Sequence, residues 1–197
     1  MTFFNSNTTG SISLKAPVGG SNVQDVFIAK IDANGNWIWA VDVGSNAIDG
    51  GACSITAMGD NTALVTGSYN GQMTFFNSNT TQSGITLKTP VGSADVFIAK
   101  INANGTWLWA VDAGSFAYDE GYSIAALGDN TALVTGHYSG QMTFFNSNTT
   151  QSSITLKQSS TGEDVFIAKI DANGTWIWAV DAGSTGTDKG LSITVFR

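Results

Sequence analysis

Recognition chemistry in this chain would most readily fall to its tryptophans. The six Trp form three W-x-W pairs, Trp37/Trp39, Trp107/Trp109 and Trp176/Trp178. Two indoles spaced two apart on one strand face would make a platform on which a sugar ring could stack. Packing between sheets employs the same residues, and it accounts better for a feature present in every copy. Aspartates recur in the same way, at Asp25/Asp95/Asp164, Asp42/Asp112/Asp181 and Asp49/Asp119/Asp188. Acid–base catalysis needs one special carboxylate pair held in unlike environments. Carboxylates present in every unit are expected instead to cap turns and accept backbone N–H groups. The D-A-N-G run at 32–35 has the look of a calcium loop, but Asn102 stands where the other copies carry Asp32 and Asp171, and no bidentate Glu follows. His137 is the single histidine and matches Ser68 of the preceding unit. With no Ser or Cys elbow nearby it supports no triad and reads as a surface substitution. Cys53, the single cysteine, permits no internal disulfide; Tyr122 and Leu191 stand at its matched positions, and it is expected as a small core residue. The sequence thus nominates no catalytic residue, no cofactor and no metal site.

Positions that differ between copies are the better place to look for binding. After the second aspartate set the copies diverge, and Asn46, Phe116, Tyr118, Glu120 and Lys189, with the recurring Asp119 among them, mark a candidate ligand-facing loop. N-x-[ST] sequons stand at Asn7, Asn79 and Asn148 in one loop and at Asn104 and Asn173 in a hairpin turn. An Asn/Thr-rich turn generates sequons by composition, so they count as glycosylation sites only in a producer that glycosylates.

The elements that would position these residues come from the repeats. M-T-F-F-N-S-N-T-T begins at Met1, Met73 and Met142, and D-V-F-I-A-K begins at Asp25, Asp95 and Asp164. A period of about seventy residues marks an array architecture. D-V-F-I-A-K-I, a D-A-N-G-x connector and W-x-W-A-V make a β-hairpin, and both faces of its first strand are apolar, which requires sheets stacked on sheets. A second hairpin, turning at Gly59-Asp60-Asn61 or Gly128-Asp129-Asn130, precedes it. Each unit therefore reads as a four-stranded antiparallel meander, with the M-T-F-F…I-T-L-K insert either extending a strand or forming a small outer hairpin. Only 12% of residues are charged and the net charge is −7. No basic stripe exists to bind nucleic acid, and no apolar run is long enough to insert in a membrane. The first residues lack the charged and apolar segments of a signal peptide.

The two hairpins, in this order, resemble the bacterial seven-bladed β-propeller repeat, the SBBP family. About two thirds of each unit takes part in the likeness. The insert makes the unit roughly twenty residues longer than a typical blade, and Gly-Asp-Asn replaces the family's Asp-x-x-Gly turn. The resemblance implies an all-β protein of tandem four-stranded antiparallel blades, extracellular or on a cell or virion surface, with no activity attached to the repeat. The units are 1–50 (a partial repeat), 51–120, 121–189 and 190–197, the last supplying a first strand that would complete the first blade. About three blades result, whereas closed propellers have roughly 4–8. The exposed edges predict self-assembly with copies of the chain or with adjacent repeats, as a closed oligomer or a fibre. A lectin-like propeller that binds glycans through Phe116, Tyr118 and Asp119 is the alternative.

Overall fold

Every regular element in the computed structural model is a β-strand; it describes residues 1–5, 11–14, 24–78, 80–147, 150–159 and 161–196. A short hairpin of β1 (Thr2–Phe4) and β2 (Ser11–Ser13) stands as its own sheet. Then come β3 (Val26–Ile31), β4 (Trp37–Gly44), β5 (Gly51–Ala57), β6 (Thr62–Tyr69), β7 (Met73–Phe76), β8 (Gln82–Leu87), β9 (Asp95–Asn102) and β10 (Trp107–Gly114). The series closes with β11 (Glu120–Ala126), β12 (Ala132–Tyr138), β13 (Thr143–Phe145), β14 (Gln151–Thr155), β15 (Asp164–Ile170) and β16 (Trp176–Ala182). All pairings between these strands are antiparallel.

Turn chemistry fixes the hairpins. Asp32 Oδ1 accepts the N–H groups of Asn34 and Asn36 at 2.9 and 2.8 Å, while Gly35 takes φ 80°. Asn102 accepts from Asn104 and Thr106 in the same way, at 2.9 and 3.0 Å. That is why Asp and Asn exchange here: the turn needs an acceptor oxygen and is indifferent to its charge. In the Gly-Asp-Asn turns Asn61 and Asn130 adopt φ 62° and 60°, a left-handed conformation that Asn tolerates better than most side chains.

The meanders expected for 51–114 and 121–183 are present, as β5-β6-β9-β10 and β11-β12-β15-β16. The insert is a hairpin, but it does not join the meander of its own repeat. β7–β8 adds to β4, through Val43↔Phe75 and Gly44↔Thr74, and β13–β14 adds to β10, through Ala113↔Phe144 and Gly114↔Thr143. Each insert therefore completes the outer edge of the preceding blade. The central sheet is six-stranded for this reason, in the order β14-β13-β10-β9-β6-β5.

The core lies between blades. One apolar layer joins Val26, Ile28, Val41 and Val43 of the first blade to Phe97, Ala99 and Ile101 of the second, roofed by Met73, Phe75 and Leu87. The next joins Val96, Ile98 and Val111 to Val134, Phe166, Ala168 and Ile170, roofed by Met142, Phe144 and Leu156. β9 serves both layers, as its two apolar faces require.

Candidate functional site

A β-bulge decides what the tryptophan pairs can do. Lys30 pairs with Trp39 and Ile31 with Trp37, so Ile38 is the extra residue, and the same shift occurs at Leu108 and Ile177. Neighbouring strand residues face opposite sides, so the shift puts the two indoles of each pair on opposite faces. The expected single-face platform is not formed. Trp107 packs edge-on against Phe75 at 5.1 Å in the layer behind its blade, and its Nε1–H donates to the Phe76 carbonyl at 3.0 Å. Trp109 faces forward and donates Nε1–H to Ala172, in the next blade's turn, at 3.0 Å. Trp39 makes the matching bond to Ala103 at 2.9 Å. Lys30 and Lys100 send their ammonium groups to the same two carbonyls, each at 3.2 Å.

The recurring aspartates are structural. Asp119 is fully enclosed: Oδ2 accepts the Ser115 N–H at 2.6 Å and Oδ1 the Ser139 N–H at 2.9 Å. It closes the loop instead of facing a ligand. Asp49 holds Ser45 and Asn70 in the same fashion, and Asp188 holds Ser184. Burial pushes the Asp119 carboxyl up to about 6. Asp95 is pushed up to about 7, by burial first and then by Asp119 and Asp112 nearby. A Cβ on Gly114 would lie 2.1 Å from Asp95 Oδ1, so the glycine following each W-x-W-A-V-D-x run makes room for this buried carboxyl.

Of the variable residues, Tyr118, Glu120 and Lys189 converge on a cluster at the junction of the second and third blades. Tyr118 Oη donates to Glu120 Oε2 at 3.1 Å, and Lys189 Nζ pairs with Glu163 at 2.9 Å. At the centre is His137, which is fully buried and not the surface residue expected. Its ring stacks on Tyr118 and Tyr122, centroids 5.8 and 5.4 Å away, and Nε2 lies 3.5 Å from Glu163 Oε1. Burial holds the imidazole below its usual range, and Glu163 works against that. Tyr122 reaches the ring because a bulge at Gly121/Ser123 turns it out of alternation. The matching bulge at Ala52/Ser54 carries Cys53 outward, so it is exposed and not the core residue expected; its Sγ lies 3.5 Å from Glu120 Oε1. Partial burial and the Glu120 charge push that thiol up to about 11, which makes it a poor nucleophile at neutral pH. Sequence reasoning had a usable signal for this cluster, since most of its members occupy positions that differ between copies. Asn46 and Phe116 lie outside it, Asn46 exposed beside Gly71 and Phe116 82% exposed at a loop tip. Asn104 and Asn173 occupy exposed turn positions, whereas Asn7, Asn79 and Asn148 lie outside the described residues.

The two ends of the array expose what the interior covers. Val41 and Val111 are each 1% exposed, but Val180, the same residue of the third blade, is 52% exposed. Trp178 is exposed where Trp39 and Trp109 are capped by a neighbour's turn. At the other end, β3 pairs with β4 alone among the described strands, and a groove of about 480 Å³ lies beside it, lined by Ile28, Trp39, Ile55, Met58 and Ile101 among others.

No family model matches the chain. An uncharacterized WD repeat-containing protein of Acanthamoeba polyphaga mimivirus is 28% identical over 175 residues. That alignment spans 86% of this chain and 12% of the viral protein, so the chain matches a small part of a much longer relative.

Proposed function

We propose that this chain is a β-propeller-type interaction scaffold without catalytic activity, whose blades associate with further blades of the same kind. WD repeats build four-stranded propeller blades, which is the architecture of the β5-β6-β9-β10 and β11-β12-β15-β16 meanders here. The observation that carries the reading is the pair of unfinished ends: an apolar forward face at Val180 and Trp178, and β3, an open edge among the described strands. Exposed apolar faces and free edges of this kind mark association surfaces. Light scattering after size exclusion, across a tenfold range of concentration and with Cys53 kept reduced, tests it. A mass rising above 20.5 kDa with concentration is expected, and a constant monomer mass refutes self-association.

A second reading rests on Phe116 and Tyr118, exposed at 82% and 40%. A glycan stacked on these rings would change their fluorescence and be lost on Phe116→Ala. Asp119 cannot join such a site, because its oxygens are taken by the loop. We place the scaffold at a cell or virion surface, with the exposed turn sequons Asn104 and Asn173 as support; mass spectrometry after secretion from a glycosylating host checks this placement.

A further inference from the structure

Two internal joints of this molecule show how one repeat grips the next, and the same parts are exposed in its first and last blades. In each joint an M-T-F-F hairpin adds its first strand to the outer edge of the preceding blade. Among the described strands, β1 pairs with β2 alone and β16 with β15 alone. Both partners are already shaped for the contact. Phe3 is buried against Phe27 and Trp37, centroids 5.3 and 4.8 Å away, and Asn5 Oδ1 accepts the Trp37 N–H at 2.8 Å. Asn77 and Asn146 hold Trp107 and Trp176 identically, at 3.1 Å each, so the first hairpin sits on its own blade just as the internal inserts do.

We infer that β16 of one copy is the docking edge for the β1–β2 hairpin of a second copy, with Ala182 opposite Phe3 and Gly183 opposite Thr2. The inference rests on the scaffold reading above and specifies its contact. That register transcribes Ala113↔Phe144 and Gly114↔Thr143, residue for residue. Three further complements follow from the internal joints. Trp178 and Lys169 are the counterparts of Trp109 and Lys100, which donate to Ala172 in the next turn; across the new joint the acceptor is Ala33 of the second copy. Lys88 lies 3.3 Å from the Phe145 ring centroid, and the corresponding pair is Lys157, with an exposed side chain, over Phe4, 74% exposed. Val180 enters the layer that Val111 enters internally. Ile177 serves as a control, because its counterparts Ile38 and Leu108 are exposed in every blade and belong to solvent.

The tail beyond β16 supports the same geometry. Gly190 N–H donates to the Gly136 carbonyl, and Ile193 N–H to Ser123 Oγ at 3.2 Å, as Ile124 N–H does to Ser54 Oγ at 3.3 Å. Residues 190–196 thus lie where the first strand of a following blade lies. In the two-copy joint the place of one strand, the counterpart of β6, stays unfilled. The joint is accordingly shallower than the internal ones and reversible. It is also heterologous, since the surface given differs from the surface received, so copies join head to tail, into closed rings of two or more copies or into filaments.

Two exposed substitutions test the polarity. Phe4→Asp spoils the donated hairpin and Val180→Lys the receiving edge, and neither disturbs the interior of the monomer. Each variant alone should self-associate at least tenfold more weakly than the unaltered chain, by light scattering. Their equimolar mixture should form a 1:1 dimer of about twice 20.5 kDa and no larger species, because each supplies the surface the other lacks. If the unaltered chain stays monomeric, both the scaffold reading and this joint fall. If it associates and Phe4→Asp has no effect, the joint falls and the scaffold reading stands. Loss with Val180→Lys alone and no rescue by mixing would mean a symmetric β16-to-β16 contact. Circular dichroism checks that both variants fold, and Trp178→Phe provides a second, independent weakening of the receiving edge.

Discussion

The same hexapeptide, D-V-F-I-A-K, occurs in three places and meets three environments. Within β9, between two neighbouring blades, it is buried on both faces. In β15 the face carrying Phe166 and Ala168 is buried, while the face carrying Val165 and Ile167 is only half covered. In β3 the pattern inverts: Val26 and Ile28 are buried, and Phe27 is 44% exposed although Phe97 and Phe166 are at 0%. Local sequence cannot produce that difference. What differs is whether a further blade lies against the strand, so burial here belongs to the array and not to the strand.

The sharpest way to break this comparison is to truncate the matched phenylalanines. Phe97→Ala should cost about 3–5 kcal/mol by chemical denaturation, because it opens a cavity between packed blades. Phe27→Ala, half in water already, should cost about 1 kcal/mol or less. Equal costs would mean that the first blade's rear face is covered in solution.

Next in size is pH. Raised native-state carboxyls mean that the folded chain keeps protons the unfolded chain has released. Their contribution to stability is complete below the ordinary carboxylate range and is lost as pH rises toward about 7. Melting temperature should therefore fall as pH rises from about 4 to about 7, by roughly 3 °C or more, and level off above that. Asp95→Asn should flatten that slope. The buried imidazole of His137 works in the opposite sense, its contribution being lost as pH falls below the usual histidine value. His137→Ser should therefore steepen the rise in melting temperature as pH falls below about 6.5, whereas Asp95→Asn should flatten it, which separates the two groups.

The smallest effect concerns the forward-facing indoles. Trp109→Phe removes a hydrogen bond to Ala172 and should cost about 1 kcal/mol of stability. Trp178→Phe should be near neutral in the monomer, where that bond has no partner, and should show itself only in association.

Much of this was legible in the chain. D-A-N-G and Gly-Asp-Asn dictate turns through acceptor side chains and a left-handed residue, so both hairpins could be placed from sequence. The doubly apolar D-V-F-I-A-K strand required stacked sheets. The bulges were not legible: a period-two reading puts Trp107 and Trp109 on one face, and only the pairing register shows that Leu108 is extra. The same kind of shift misdirected the reading of Cys53. His137 was missed because its enclosure comes from Tyr118, Tyr122 and Glu163, none of them adjacent in sequence. The insert was recognisable as strand-forming, but pairing information for β7 resides in β4, about thirty residues upstream, and nothing in the run itself names that edge.

That borrowed hairpin gives the chain a direction in time. During synthesis the first blade has β3 and β4 once Gly44 has left the ribosome, yet its outer edge stays bare until Leu87 has followed. The second blade waits likewise from Gly114 to Thr155. Each repeat thus supplies the strand that covers the outer edge of the one before it. A chain stopped within these windows would expose that bare edge, and uncovered strand edges favour pairing with other chains.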